Sequence, residues 1–573
     1  MKLLHSFSTF LLHKFHFIQR HIASKYRKKF LQMTSRCKNV QEKNLFEIIE
    51  LNKDCEYGVE HKFKDIKSYE DFKKNVPVND YSDLKPYVDK MLGGQKYCLT
   101  SKEVVFYAKS SGTTNYPKYI PVTKNLINKR VSAWKIWTNV IFENHPDIYV
   151  TPNSIINFVS KPDEEKSISG VNCGSISGLL HEIQPLPIKM LYAIPEEISE
   201  IEDYELKYYL SVIFGIKGNI KKMVSPNPST FVYVGELINK KKYDFLNDFK
   251  KNKICALDDK KYNLSTKIRR KINAKFKSFK NRSIYLKLKN LISENKVLLP
   301  KHIFPNLEVI GCWTGGSVKT YLTHLPFFYG DLVEIYEIGF LASEGRFTTI
   351  TNRNSEVLSI DYGFFEFMGV KDYEKHQKRA KTYLAHELKK GEKYYVLVTS
   401  ENGLFRYFMD DIVRVNGFEN KTPKIEFLQK GKYVSSVTGE KITEWEIVDS
   451  MKKASEKLGF EFKTFFAIPL QKGEFFYYAY GIEFMGEVNR QIICEIEDFL
   501  DKNLRKENIE YAGKRKSERL LPLRVIKLSE GSFFKIRHFY SEHVKNNTQI
   551  KVPKLAVLDK DKKILFNFIS KDL

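Results

Sequence analysis

Five short stretches carry residues whose types and spacing suit work on a phosphate-bearing ligand. In SSGTTNYPK (110–118), Ser110, Ser111, Gly112, Thr113 and Thr114 close a strand-like run, and Lys118 follows four residues on. Small hydroxylated residues around a glycine let backbone N–H groups converge on an anion, to which the lysine adds a point charge. The spacing is not that of a GxxxxGK[ST] loop, and a plain polar hairpin is the alternative. In CWTGGSVKTY (312–321), Gly315 and Gly316, followed by Ser317, permit close backbone approach to a flat ligand. In GFLASEG (339–345), Glu344 follows Ala342 and Ser343 at a strand end. Magnesium often takes one or two protein carboxylates, so Glu344 is a candidate ligand, against a solvated loop glutamate. In GLFRYFMDDIVRV (403–415), Asp411 can accept hydrogen bonds from ribose hydroxyls. Finally, NNTQIKVPKLAV (546–557) sets Lys551 and Lys554 around a proline. A lysine delivered by a small mobile domain can neutralise charge as a phosphoryl oxygen leaves.

The elements that must position these residues read as an α/β protein. Apolar or aromatic runs at 306–313, 333–343 and 393–400 have the character of buried strands, and each ends in small, polar or charged residues. Ligands gather at such strand ends in open α/β sheets. The segment 131–144 reads as a helix, with Thr123 its N-cap. After Phe427 the character changes: a polar run at 429–444 precedes a helical stretch, the aromatic strand at 474–486 and a second helix at 488–504. The expected division is a large domain over 1–428, a hinge at 429–441 and a small α+β domain over 442–573.

A chain of 573 residues is too long for one core. Seven scattered cysteines with no CxxC argue for reduced thiols in a cytoplasmic setting and against a structural zinc site. The net charge of +26 invites a nucleic-acid or anionic-membrane reading, but no recognised nucleic-acid-binding motif accompanies it. Charge concentrates in the acid-free stretch 1–41 and in the basic helical stretch 267–290. The former is too interrupted to span a membrane. A transit peptide or membrane-surface helix is one reading of it; we read it as a helix packing on the domain that follows.

The order of the motifs adds what none supplies alone. The series SSGTT…PK, GGS, ASEG, RYxxxDxV, GEKITE and QxKxP resembles the adenylate-forming enzymes, and within them the Gretchen Hagen family of auxin-responsive acyl acid-amido synthetases. The likeness starts near FEIIELNKDCEYG, continues through SISG (175–178), NPST (227–230), WTGGSVKTY and GFFEFMG (363–369), and ends at IKVPKL, so it covers about residues 46–555. It implies a large adenylation domain of mixed sheets and helices with a small mobile α+β domain. It also implies a reaction: an acid and MgATP give an acyl-adenylate and pyrophosphate, and an amine, usually of an amino acid, displaces AMP. Carried over by position, Ser110–Thr114 and Lys118 would hold the β,γ-phosphates. Gly315, Gly316, Ser317, Ala342 and Ser343 would line the adenine side, and Glu344 would bind magnesium. Asp411 would take the ribose, and Lys551 the charge developing at the α-phosphate. Lys430 stands where the family commonly has arginine.

Ser175, Phe231, Trp313 and Tyr321 would line the acyl pocket, unless the aromatics belong to the core. Phe408, Met409 and Asp410 replace the family's usual arginine, small aliphatic residue and glycine. Loss of that glycine is expected to alter the turn, and Asp410 to raise the pKa of Asp411. Two further readings stay open: a thiol acceptor such as coenzyme A, and a non-catalytic protein binding anions through its basic surface. The expected partners are a small carboxylic acid and an amine, with no specific nucleic acid and no transmembrane segment.

Overall fold

The computed structural model describes residues 2–110, 117–353, 355–431, 433–473, 475–543 and 550–570. Ser111, Gly112, Thr113 and Thr114 lie outside them. The described residues form five sheets. The central feature is an antiparallel sheet of seven strands in the order Thr382–Leu384, Phe364–Gly369, Lys393–Ser400, Leu404–Glu419, Thr422–Lys430, Glu356–Leu358 and Thr348–Ile350. Its strands are rich in aromatic and β-branched residues and lie mostly buried. A buried ion pair braces it: Arg406 directs Nε and Nη2 at the Glu366 carboxylate, with Nη2 at 2.9 Å from Oε1.

A second sheet is wholly parallel, in the order Ile155–Asn157, Lys222–Val224, Val309–Cys312 and Glu334–Glu337. A third pairs Val104–Ser110 with Lys118–Thr123 in an antiparallel hairpin and with Asn172–Gly174 in parallel. The Thr123 hydroxyl accepts from the Leu126 N–H and caps the helix Lys124–Asn144, as its sequence position suggests. The first helix, Lys2–Thr34, lies along this capped helix, where Arg27 meets Glu143 at 2.7 Å. The basic stretch resolves into two helices, Thr266–Phe276 and Asn281–Glu294.

Strand Thr422–Lys430 runs two residues into the expected hinge, because Lys430 still pairs with Asp411 in the ladder. Beyond it, Glu440 is fully buried, accepting from the Val437 and Thr438 N–H groups and the Tyr478 hydroxyl. The helix Glu444–Leu458 follows, opened by a capping box of Thr443 and Glu446 and closed by Gly459 at φ +70°. A three-stranded sheet of Phe462–Lys472, Phe475–Phe484 and Arg524–Lys527 packs against this helix and the helix Arg490–Glu507. All seven cysteines are free. Among the described residues no helix is long and apolar enough to cross a membrane.

Candidate active site

One cavity of about 1730 Å³ opens where the parallel sheet, the hairpin, the seven-stranded sheet and the C-terminal segment meet. Ser110, Lys118, Glu344, Asp411, Lys430 and Lys551 all line it, although they come from segments spread over more than 400 residues.

At the hairpin end, Lys118 Nζ donates to the Tyr407 hydroxyl at 3.0 Å, and that hydroxyl lies 3.5 Å from Glu344 Oε1. The lysine of one motif and the carboxylate of another are thus joined through a single phenol. Glu344 sits in a tight turn in which Ala342 and Gly345 exchange backbone hydrogen bonds. Arg130, from the capped helix, fastens that turn by donating to the carbonyls of Ala342 and Ser343, the latter at 2.9 Å. Ser343 in turn reaches the Lys109 carbonyl at 3.4 Å, tying the turn to the hairpin strand. Among the described residues no three His, Cys, Asp or Glu side chains form a metal cage. A lone carboxylate suits a magnesium ion that arrives with its phosphates, so the residues fit that ion.

Asp411 and Lys430 form the next group. Asp411 is buried, and Lys430 Nζ stands 2.6 Å from its Oδ1. Burial pushes the Asp411 carboxyl up; Lys430 opposes this and Glu344 adds to it. Burial draws the Lys430 ammonium down, but the charges of Asp411 and Glu344 carry it up overall. The two shifts pull in opposite senses for the pair, and the short contact favours the ionised form.

Asp410 itself takes the left-handed conformation, φ +57°, that a glycine would supply. Room is made across the ladder, where Gly431 donates to the Asp410 carbonyl at 2.7 Å and a Cβ at 431 would stand 2.6 Å from Asp410 Oδ1. Lys430, Glu344 and Lys551 are among the charges that act on Asp411. Phe408 stacks on Tyr373 at 4.8 Å between centroids, and both rings line the cavity.

Lys551 reaches the same space from the C-terminal segment, its Nζ 4.7 Å above the Trp313 ring. Its side chain is exposed and opens into the cavity. Desolvation there, joined by the Lys430 charge, pushes its pKa down against Asp411 and Glu444. Lys554 does something else. It is buried, and its Nζ donates to the Tyr321 hydroxyl at 3.0 Å and the Phe465 carbonyl at 3.1 Å.

That bond corrects one expected acyl-pocket residue. Tyr321 does not line the cavity: burial would raise its pKa, but the Lys554 charge and hydrogen bond draw it below the ordinary value. Phe231 is corrected likewise. It is fully buried in the core beside Phe158 and Tyr329, its backbone carbonyl held by the Tyr329 hydroxyl. Gly316 also turns away from the cavity. It takes φ +63°, and a Cβ there would meet the Leu428 carbonyl at 3.1 Å, so the close approach is to a strand. Gly315, Ser317, Ala342, Ser343, Ser175 and Trp313 do line the cavity.

Arg130 and Glu337 carried no signal in the sequence, and Tyr407 stood in the RYxxxDxV motif with no role of its own assigned. Glu337 ends a parallel strand and accepts from the Thr314 hydroxyl at 2.6 Å and the Gly339 N–H at 2.7 Å, which fixes the TGGS turn.

This architecture is that of an acyl acid amido synthetase fold. It superposes on a solved structure of the AtGH3.15 acyl acid amido synthetase in complex with 2,4-DB with a TM-score of 0.83, at 19% identity, covering 96% of each chain. The GH3 family N-terminal domain matches residues 26–334, the central domain 356–430 and the C-terminal domain 446–558. The chain belongs to the GH3 family. It is 24% identical to a jasmonoyl–L-amino acid synthetase of Nicotiana attenuata, over 89% of each chain. It is 23% identical to an indole-3-acetic acid-amido synthetase of Arabidopsis thaliana, over 93% of each.

Proposed function

We propose that the protein is an ATP-dependent acyl acid-amido synthetase. In the first step a carboxylate oxygen attacks the α-phosphorus of ATP, the bond to the β-phosphate oxygen breaks, and pyrophosphate leaves. In the second, an amine nitrogen attacks the acyl carbon, the carbon–oxygen bond to AMP breaks, and the nitrogen releases a proton to solvent. The observation that carries this reading is the convergence on one cavity of Lys118 and Glu344 through Tyr407, the Asp411–Lys430 pair, and Lys551 over Trp313.

In this reading Ser110 and Lys118 face the β,γ-phosphates, Asp411 orients the ribose, and Lys551 meets charge developing at the α-phosphate. No side chain acts as a nucleophile, so the chain contributes positioning and electrostatic stabilisation. Glu344 would hold magnesium, which when bound screens the triphosphate charge. The 429–441 segment acts as a hinge between half-reactions, with the swivel falling after Lys430, where the sheet ends. The acceptor is an amino acid or related amine, as in the names of the relatives. The seven free thiols support a reducing, cytoplasmic setting.

Hydroxylamine trapping tests the reading. With ATP, magnesium and a panel of acids, wild type should form a hydroxamate and Glu344→Ala should not. Absence of hydroxamate with every acid, together with absence of ATP binding by calorimetry, would overturn it.

A further inference from the structure

The cavity does not end at Trp313. Strand Lys222–Val224 runs away from it: Pro226 accepts from the Trp313 N–H at 2.9 Å, and Val224 and Lys222 line the wall beyond. Three residues separate Pro226 from Lys222, a span of up to about 13 Å at strand rise. The first helix closes this far end with His16, Gln19 and Arg20, which lie ahead of the residues matched by the family's N-terminal domain.

Two polar groups there have no anionic partner among the described residues. Lys222 is 5% exposed, and among the described residues its hydrogen-bond partner is the neutral Tyr149 hydroxyl at 2.9 Å, with no ion pair. Its other neighbours are the faces of Tyr149 and Trp137, at 4.4 and 5.2 Å. His16 is 2% exposed, and its Nε2 has no hydrogen-bond partner. A buried ammonium without a carboxylate is costly unless something anionic reaches it. Burial draws Lys222 down to about 7, and burial with the Lys222 charge draws His16 to about 4. An arriving anion would return the charge to the lysine.

Resting on the amido-synthetase reading, we infer that the far end of this cavity is an anion subsite, formed by Lys222, His16 and Tyr149, that selects acids bearing a second carboxylate. The substrate class is a dicarboxylic acid. One carboxylate is presented at the Trp313 and Lys551 end, and the other is held at the first helix.

The probes are α,ω-dicarboxylic acids of eight to twelve carbons beside their monomethyl esters and matched monoacids, read by pyrophosphate release with ATP and magnesium. Wild type should favour the best diacid over its monomethyl ester at least tenfold in kcat/KM. In Lys222→Met that ratio should fall to about one or invert, mainly through the diacid KM. Lys222→Arg should keep part of the preference. A wild type that does not favour diacids overturns the inference even if no variant folds, as does a preference that survives Lys222→Met. Calorimetry without ATP separates the two readings. Diacid binding that depends on Lys222, in a protein that releases no pyrophosphate, would sink the synthetase reading and keep the subsite.

Discussion

Lys430 and Asp411 are direct partners in an antiparallel ladder, and their side chains meet at 2.6 Å on the cavity side of the sheet. The register of two strands therefore sets the position of a buried carboxylate and its counter-ion together. Lys430→Met should leave Asp411 without that counter-ion and push its carboxyl further up. Because Lys430 is partly open to solvent, the cost should be about 2 kcal/mol in urea unfolding. Lys430→Arg should restore most of it. Asp411→Asn should instead weaken ATP binding in calorimetry.

Two lysines three residues apart should fail in different ways. Lys551→Ala should lower adenylation about 10²- to 10³-fold, measured by pyrophosphate release, with little change in melting temperature. Lys554→Ala removes the donor to Tyr321 and the Phe465 carbonyl, both inside the protein. It should cost about 2 kcal/mol of stability. Equal loss of stability in both variants would contradict this division.

Arg130 touches no expected ligand directly, yet it holds the carbonyls beside Glu344. Arg130→Lys cannot reproduce that fork. It should raise the KM for ATP and the magnesium requirement about tenfold while the KM for the acid stays near wild type. A uniform fall in kcat with all KM values unchanged would point to a different role.

Much of this arrangement was legible in the sequence, and the exceptions share a cause. Thr123 and the helix it caps follow from hydrogen bonds made by neighbours in the chain, and the strands ending near Cys312 and Ser400 from their runs of apolar and β-branched residues. Phe231 and Tyr321 misled because an aromatic beside a motif looks the same whether it faces a cavity or the core. Arg130 and Tyr407 make these contacts across 63 to 213 residues and Glu337 acts through a turn on another strand, so no spacing announces the contacts. The pairing of Lys222 with His16 is hidden in the same way.

Asp410 occupies a left-handed conformation that L-residues adopt at some cost. Asp410→Gly relieves about 1–2 kcal/mol of left-handed strain against a chain-entropy cost of about 0.5–1 kcal/mol, and should stabilise the protein slightly. Gly431→Ala places a Cβ against the Tyr395 ring and Asp410 Oδ1, and should destabilise it by about 1–3 kcal/mol. Urea denaturation of the two variants checks both signs.

Two buried histidines and a half-buried one shape the acid limb of stability. Burial, with nearby positive charges, depresses His16 and His324 to about 4, and burial depresses His181 to about 4 although Glu196 opposes it. A depressed histidine contributes stability in full above its unfolded value near 6.5, and that contribution is lost as pH falls toward 4. Melting temperature should therefore drop across that window. His324→Phe, whose parent ring packs edge-on to Phe462, should flatten the drop by up to about 3 kcal/mol.

Lys551 and Lys554 belong to one short segment, and the Lys554 end is stitched to the C-terminal sheet by Ala467 donating to the Lys554 carbonyl at 2.7 Å and Ala556 donating to the Ala467 carbonyl at 2.8 Å. Lys551 therefore cannot be drawn far from Trp313 unless Lys554 also lets go of Tyr321. Withdrawal of charge from the reaction centre and release of a buried phenol become a single event, an interlock. Tyr321, whose pKa is held down by Lys554, is then the natural place to watch it operate.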